Sequence, residues 1–498
     1  MSREKKLTEQ TFLGFLWMIT GSGIQVVLKI VVIAVLARLI TPKEFGVMGI
    51  AVIVLEFSKL FTQMGVGPAI IQRKELERRH LEVGFTLSLL MGLFFSSLLV
   101  LIAPLLAAFF RMEGLVPIMR VISLVFLVDS FTLIGQALMQ RNMKFKVITT
   151  IEVLSYTIGY GAVGIVLGYF GWGVWALVIA NLSQAVLQAV LIVWVQPFSK
   201  RLGTDFKTFK ELLHFGGGMT IARIGNYLAL QGDNLVVGRI LGEQALGIYG
   251  RAYQFMAMPA GLFGNALDKT LFPAMAKVQD DKQKLGKAYL TSVSIIALIA
   301  IPLSILLVVL APETIMTLLG SNWKDVILPF QILACSLLFR MSYKMSDSLT
   351  RAMGAVYRRA WRQFIFAALV IIGAYVGHFW SLSGVAWGVA VALVVNFLLM
   401  AQLSIQLVGI TWLSILKAHW HGLILGATTG IVSYIIVKVC RFYIQSHALT
   451  LLISIVSISF LLFLVIWYFP RVFIRDDHNK LFNKLISKRF KKLPIQTA

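Results

Sequence analysis

Long apolar stretches alternate with short polar loops along almost the whole chain. Each stretch is about as long as the ~20 residues that a helix needs to cross ~30 Å of hydrocarbon. There are fourteen of them, at 12–37, 46–68, 84–110, 116–138, 147–170, 173–196, 214–238, 246–272, 288–311, 327–350, 363–380, 384–407, 418–437 and 448–469. The pattern predicts an all-α integral membrane protein with 14 transmembrane helices.

The loops between these stretches alternate between rich and poor in lysine and arginine. One set of loops, with the two chain ends, holds 31 basic residues, and the opposite set holds 7. The positive-inside rule therefore predicts that both termini lie in the cytoplasm. This orientation requires an even number of spans, as the fourteen stretches provide.

Composition agrees with a membrane protein, since 58% of the residues are hydrophobic and only 14% are charged. A net charge of +24 would indicate nucleic-acid binding in a soluble protein. Here most of the excess lies in predicted cytoplasmic loops, where it orients helices and contacts anionic lipids. Cys335 and Cys440 are far apart, and His419 and His421 have no nearby cysteine or acid. We therefore expect no disulfide framework, no metal site and no cofactor.

The sequence contains an internal repeat. Arg38–Gly49 resembles Arg239–Gly250 at a constant offset of 201 residues, and both segments link one apolar stretch to the next. A second echo relates the glycine-rich starts of stretches 6 and 12, at Gly173 and Gly384. The copies lie six spans apart, an even number, so they enter the membrane in the same direction and form parallel repeats.

The duplication predicts two pseudo-symmetric six-helix lobes around a central cavity, as in alternating-access transporters. The N-lobe comprises 1–196 with helices 1–6, and the C-lobe comprises 214–407 with helices 7–12. An amphipathic cytoplasmic linker at 197–213 joins them along the membrane surface. Two further helices, 13 and 14, occupy 408–470. The basic tail 471–498 is predicted to lie on the inner leaflet.

Polar side chains follow one face of spans 1, 2, 7 and 8, mostly at the i, i+3 and i+7 positions of a helix. A charge at the bilayer centre costs roughly 2.5–3.5 kcal/mol on insertion scales, so these groups are expected to face a wet cavity. The predicted cavity residues are the cations Lys29, Lys59, Arg223 and Arg251 and the amides Gln25, Gln63, Asn226, Gln254 and Asn265. Their positive excess suits a phosphate ester or pyrophosphate.

Other charges in the spans allow a structural interpretation. Lys59 has Glu56 one turn away on its own helix, so the two are expected to form an internal ion pair. We expect Asp129 to pair with Arg120, and Asp347 with Arg340, as structural contacts. Two acids, Asp233 and Asp268, are candidates for coupling transport to H⁺ or Na⁺.

The segments Ala37–Gly49 and Phe61–Ile70 resemble the start of a Wzx-type oligosaccharide flippase. Asp233–Gly242 and Leu246–Gly250 resemble the seventh and eighth helices of that family, which belongs to the multidrug/oligosaccharidyl-lipid/polysaccharide exporter superfamily. The colanic-acid and teichuronic-acid exporter group is the most similar. The resemblance implies a bacterial inner-membrane flippase with a cationic central cavity. Its substrate would be an undecaprenyl-diphosphate-linked oligosaccharide repeat unit for surface polysaccharides such as lipopolysaccharide or exopolysaccharide.

Other functions stay open at this point. A multidrug or cation antiporter of the same superfamily would need a cavity of negative charge, whereas this one leans positive. A glycosyltransferase or polymerase would need a long outer loop for its catalytic residues, and the longest here is 312–326. A non-transport protein of polysaccharide assembly would not explain the four polar stripes. The chain is therefore predicted to be a transporter and not an enzyme, with polysaccharide polymerase or assembly proteins as candidate partners.

Overall fold

The computed structural model describes residues 23–62, 66–73 and 75–468. Within helices it describes only the backbone of 207, 211–222, 265–270, 273, 274 and 466. The start of span 1 and the predicted basic tail 471–498 therefore lie outside the described residues. The described part is helical throughout, with no β-strand.

Helices of the first half follow one another with short connections. In chain order they are α1 (23–39), α2 (Pro42–Thr62), α3 (Val66–Gln72), α4 (Arg78–Phe110), α5 (Leu115–Ile122), α6 (Leu124–Arg141), α7 (Phe145–Leu154), α8 (Val163–Tyr169) and α9 (Val174–Val195). A π-helical segment, Ser155–Ala162, joins α7 to α8.

The second half continues in the same way. Its helices are α10 (Phe206–Ile240), α11 (Gly242–Ala276), α12 (Lys282–Val309), α13 (Ala311–Leu318), α14 (Ile327–Cys335), α15 (Leu337–Ala352), α16 (Val356–Gly377), α17 (Ser381–Val408), α18 (Trp412–Tyr443) and α19 (His447–Tyr468). Short 3₁₀ turns at Ser321–Val326 and His378–Trp380 precede α14 and α17.

Many of these helices suit a membrane. In the described part, nine helical runs are long and apolar enough to cross a bilayer, or ten if the bent pair Ser321–Cys335 and Leu337–Ala352 forms one span. One of the nine, Val356–Val408, contains both α16 and α17. The chain is thus an all-helical, multi-pass membrane protein. The count of fourteen and the lobe boundaries stay predictions.

Local sequence explains the start of α12 and the close contact between α16 and α17. Asp281 caps α12 by accepting a hydrogen bond from the backbone N–H of Lys284 at 3.0 Å. That bond holds the pKa of the Asp281 carboxyl below its ordinary value. The hairpin of α16 and α17 depends on glycine, because a Cβ on Gly377 would lie 2.3 Å from the carbonyl oxygen of Gly384.

Contacts divide the chain into two units. The first comprises Met1–Leu262, Leu318–Phe330 and Ala360–Ala392, as far as these are described. In it α4 packs against α6, and α10 packs against α2, α3 and α4. The π-helical segment packs closely against α9.

The second unit comprises Phe263–Thr317, Gln331–Arg359 and Leu393–Ala498, as far as these are described. Its centre is the long contact of α12 with α18, where Gly422 and Gly426 approach Ala297 and Ile301. Small residues at this spacing let two membrane helices pack at close range. Near the end of α18, Arg441 forms an ion pair with the buried Glu313 of α13, with 2.7 Å between Arg441 Nε and Glu313 Oε1.

Candidate functional site

Two of the predicted cations meet at a pair of stacked tyrosines within the first unit. The Lys29 ammonium on α1 lies 5.9 Å from the ring centroid of Tyr156. Arg251 on α11 is close enough to Tyr156 and Tyr160 to interact with both electrostatically. The two tyrosine rings stack with their centroids 5.3 Å apart and their planes 10° apart. Since a ring face attracts cations, the Tyr156 ring stabilises the Lys29 ammonium, and Arg251 from a second helix lies near the same pair of tyrosines.

The tyrosines are positioned by the π-helical segment Ser155–Ala162, which carries both of them. Its glycines allow it to touch the neighbouring helix, because a Cβ on Gly159 would lie 2.5 Å from the Cα of Gln184 on α9. Short π-helical stretches often mark functional sites. Neither tyrosine was identified as a site residue from the sequence.

Polar and aromatic side chains surround this region. Gln25, one turn before Lys29, donates from Nε2 to Glu152 Oε2 at 2.9 Å. Arg251 donates to Gln254 Oε1 and lies 4.3 Å from the ring centroid of Phe45. Four of these residues were predicted to line the cavity and lie in this region of the first unit, namely Gln25, Lys29, Arg251 and Gln254.

Phe45 is held in place by Trp323. Its ring meets Trp323 edge-on at 5.3 Å between centroids. The Trp323 indole N–H donates to the carbonyl oxygen of Ala37 at 2.7 Å. The guanidinium of Arg251 therefore rests on a rigid aromatic support.

A second concentration of polar groups is a pocket of about 200 Å³ among α2, α4, α6 and α9. Lys59 is one of its lining residues and lies 2.9 Å from Glu56 Oε1 and 3.2 Å from Asp129 Oδ2. The Lys59 side chain is 21% exposed, against 49% for Glu56 and 38% for Asp129. We call this the α2–α6 pocket, lined by Glu56, Lys59, Thr62, Ser88, Gly92, Phe126, Asp129, Ser130, Thr132, Leu133, Gln136 and Gln188.

The ion pairs differ in part from those predicted. Glu56 does pair with Lys59, but Asp129 also pairs with Lys59, where Arg120 was expected. Asp347 is bound by Arg351 and Arg359, neither of which was its predicted partner. Asp129 on α6 and Lys59 on α2 belong to different helices, so spacing along one helix could not indicate their contact. The same holds for Asp347 on α15 and Arg359 on α16, whereas Arg351 lies one turn after Asp347 on α15.

A third predicted cation, Arg223, lies on α10. One turn further along α10, the Tyr227 hydroxyl donates to the carbonyl oxygen of Ile53 at 2.6 Å. The Tyr227 ring also lies 5.7 Å from that of Phe57 on α2. In the described part of the chain Arg223 makes no ion pair, and the neighbouring Asn226 is exposed. Arg223 is thus a cation that has no acid partner among the described residues. It lies on a helix that packs against α2.

Asp233 was a candidate for ion coupling, but its surroundings favour a structural role. The side chain is buried, and it accepts a hydrogen bond from the Tyr249 hydroxyl at 2.8 Å. It also accepts from the backbone N–H of Asn234 at 2.9 Å. The bond from Tyr249 ties α10 to α11 at the duplicated segment Arg239–Gly250.

Three predicted residues cannot be placed. Gln63 lies outside the described residues, and the side chains of Asn265 and Asp268 on α11 are not described. Their roles stay predictions. In the part that the structure describes, no three histidine, cysteine, aspartate or glutamate side chains are grouped to hold a metal ion.

Comparison with known proteins gives a family match. A family model described as "Polysaccharide biosynthesis protein" matches residues 35–328. Teichuronic acid biosynthesis protein TuaB of Bacillus subtilis is 25% identical over 475 residues, covering 93% of this chain and 97% of that protein. Lipopolysaccharide biosynthesis protein WzxC of Escherichia coli is 26% identical over 435 residues, covering 86% and 88%.

Solved structures share the fold. The lipid II flippase MurJ in an inward closed conformation superposes with a TM-score of 0.72 at 14% identity, covering 93% of this chain and 99% of that one. An inward-facing multidrug resistance MATE transporter gives 0.61 at 18% identity, covering 77% and 95%.

Proposed function

The chain belongs to the polysaccharide biosynthesis protein family, and we propose that it is a flippase for undecaprenyl-diphosphate-linked oligosaccharides. It would move each repeat unit across the bacterial inner membrane for surface polysaccharide synthesis. Relatives named for teichuronic acid and lipopolysaccharide biosynthesis, and one named as a succinoglycan biosynthesis transport protein, support this proposal. The fold shared with a lipid II flippase supports it as well.

The observation that carries the proposal is the set of cations Lys29, Arg223 and Arg251. None of them makes an ion pair within the described part of the chain, although each lies in a predicted span. A lone charge at this depth is costly and usually marks a substrate pathway. A diphosphate offers several anionic oxygens, and charge-assisted hydrogen bonds to them are about twice as strong as neutral ones. The three cations would therefore hold the diphosphate.

The remaining polar groups would contact the sugars. We assign this role to Gln25, Asn226 and Gln254, together with Gln63 and Asn265. The prenyl tail would stay in lipid, so that only the polar head crosses the membrane. The N-lobe and C-lobe would then rock in alternation and open the head-group site to the other side.

The proposed orientation follows from the loop charges. With both termini in the cytoplasm, the duplicated segments Arg38–Gly49 and Arg239–Gly250 would face the periplasm. The head group would enter from the cytoplasmic side and leave beside these segments.

A multidrug or cation antiporter is not favoured. Such a transporter must attract cations, and three cations that make no ion pair with any described residue would repel them. The likeness to a MATE transporter concerns the fold alone. Transport of an anionic head group also accounts for the names of the family relatives.

Export in cells tests the proposal. In a strain lacking this protein, the chain and its Lys29→Gln, Arg223→Gln and Arg251→Gln variants are expressed, and surface polysaccharide is measured. We expect each variant to reduce export about 10-fold or more, by analogy with one lost charge-assisted bond of about 1.5–3 kcal/mol. The control is Lys324→Gln, which removes an exposed cation outside the cluster. Normal export from all three variants would overturn the diphosphate clamp.

A further inference from the structure

We propose that the α2–α6 pocket binds one sugar ring of the lipid-linked head group. The inference rests on the proposed function, because it names the part of the substrate that this pocket would select. None of the cavity amides predicted from sequence that can be placed lies in the pocket. It is a separate subsite, built largely by residues outside the polar faces of spans 1, 2, 7 and 8.

The size of the pocket fits a single ring. Its volume is about 200 Å³, below the roughly 300–1,000 Å³ of clefts that hold drug-sized ligands. A whole repeat unit would not fit. One ring would reach side chains on four helices at once, since α2, α4, α6 and α9 all contribute to the lining.

Lys59 fixes the two acids of the pocket as hydrogen-bond acceptors. It lies 2.9 Å from one oxygen of Glu56 and 3.2 Å from one oxygen of Asp129. An ionised carboxylate has about four lone-pair sites, so each acid keeps capacity to accept bonds from hydroxyl groups. A sugar hydroxyl can donate to such an oxygen while its own oxygen accepts from another group.

Two amides supply such donors. Gln136 on α6 and Gln188 on α9 both line the pocket and are partly buried. Their side chains make no hydrogen bond to any residue in the described ranges. Both amides line the pocket and are only partly buried, so their N–H and C=O groups can bond to a ligand rich in hydroxyl groups.

The duplication shows that the fold itself does not require these charges. At the offset of 201 residues, Glu56 corresponds to Ala257 and Lys59 to Ala260. The second copy forms a helix at these positions without charge. Three ionisable groups in a membrane-spanning bundle are costly, and a substrate that uses them explains why one copy carries them.

The pocket also lies beside α10, the helix that carries Arg223 of the proposed clamp. Tyr227 interacts electrostatically with Glu56 and bonds to Ile53, so α10 runs beside the α2 wall of the pocket. Arg223 lies one turn from Tyr227, which is about 6 Å along the helix. A diphosphate bound at Arg223 would therefore place a nearby sugar at the pocket.

Ligand preference of the purified full-length protein tests this inference. Two probes are compared, namely undecaprenyl diphosphate without sugar and the lipid-linked repeat unit extracted from cells that lack this protein. We expect the wild type to bind the sugar-bearing lipid more tightly. Gln136→Ala and Gln188→Ala should each reduce that preference about 5-fold and leave the affinity for undecaprenyl diphosphate within 2-fold, as the loss of one neutral hydrogen bond implies. The matched control is Gln140→Ala, one turn from Gln136 on the same helix and outside the pocket lining.

The outcomes are distinct. An unchanged preference in both variants would overturn the sugar subsite, as would an equal loss of affinity for both lipids, which indicates a structural role. A wild-type protein that binds the two lipids equally would also overturn the subsite but leave the flippase proposal intact. A wild-type protein that binds neither lipid would overturn the proposed function itself.

Discussion

Gly46 and Gly247 pack reciprocally against the backbone of each other's helix. A Cβ on Gly46 would lie 1.7 Å from the carbonyl oxygen of Glu243, and one on Gly247 would lie 1.8 Å from that of Pro42. Both glycines and both carbonyl groups are related by the same offset of 201 residues. The duplicated segments therefore contact one another with local two-fold symmetry, and α2 and α11 approach too closely for any side chain.

Substitution of Gly46 by alanine is expected to destabilise the protein. The new methyl group would force α2 and α11 apart, and overpacking of this kind costs about 1–3 kcal/mol. The thermal unfolding midpoint in detergent should fall by several degrees. Gly49→Ala is the control, because a Cβ there would meet only Leu246 at an ordinary 3.6 Å. Equal midpoints for the two variants would show that the close contact is not formed.

The charge triad of the α2–α6 pocket gives a second prediction. Lys59→Met would leave Glu56 and Asp129 facing each other without a cation. Because both acids are more than one third exposed, we expect a loss of only about 2 kcal/mol in unfolding free energy, below the value for fully buried pairs. Adding Asp129→Asn should restore about half of it, since one of the two negative charges is removed. Stability that is unaffected by Lys59→Met would contradict the triad.

The stacked tyrosines should act through their rings and not through their hydroxyl groups. Tyr156→Phe keeps the ring face beside Lys29 and is expected to retain polysaccharide export within 2-fold. Tyr156→Ala removes that face and should reduce export about 5-fold, as the loss of a cation–π contact of about 1 kcal/mol implies. If Phe impairs export as much as Ala, the hydroxyl group carries the effect instead.

The ion pair of Glu313 with Arg441 should stabilise the second unit. The Glu313 side chain is 2% exposed and accepts from Arg441 at 2.7 and 3.0 Å. Arg441→Gln would leave a buried carboxylate unpaired, at a cost of about 3 kcal/mol. Removing both charges, with Glu313→Gln added, should recover most of that stability. A double variant no more stable than Arg441→Gln, measured by denaturation in detergent, would show that the charge is not the cause.

Sequence reasoning could predict the membrane class and part of the site. Apolar length and loop charge are properties of single segments, so they indicate spans and orientation without knowledge of packing. Lys29 and Arg251 could be proposed because each has no acid within one turn of its own helix. Their meeting at Tyr156 could not be predicted, since it joins three helices.

The α2–α6 pocket shows the same limit. Glu56 and Lys59 are neighbours on one helix and were expected to pair, but Asp129, Gln136 and Gln188 come from other helices. Nothing in local spacing indicates that α6 turns Asp129 toward α2. A covariation signal between positions 59 and 129 is what would have revealed this contact.

Transport in reconstituted vesicles tests the diphosphate clamp most directly. Purified protein is placed in liposomes that contain the undecaprenyl-diphosphate-linked repeat unit, and the lipid that reaches the opposite leaflet is measured over time. We predict that the wild type and the Lys324→Gln control move the lipid, whereas the combined Lys29→Gln, Arg223→Gln and Arg251→Gln variant, folded and inserted to the same extent, does not. Transport by that triple variant at the wild-type rate would contradict a clamp formed by these three cations.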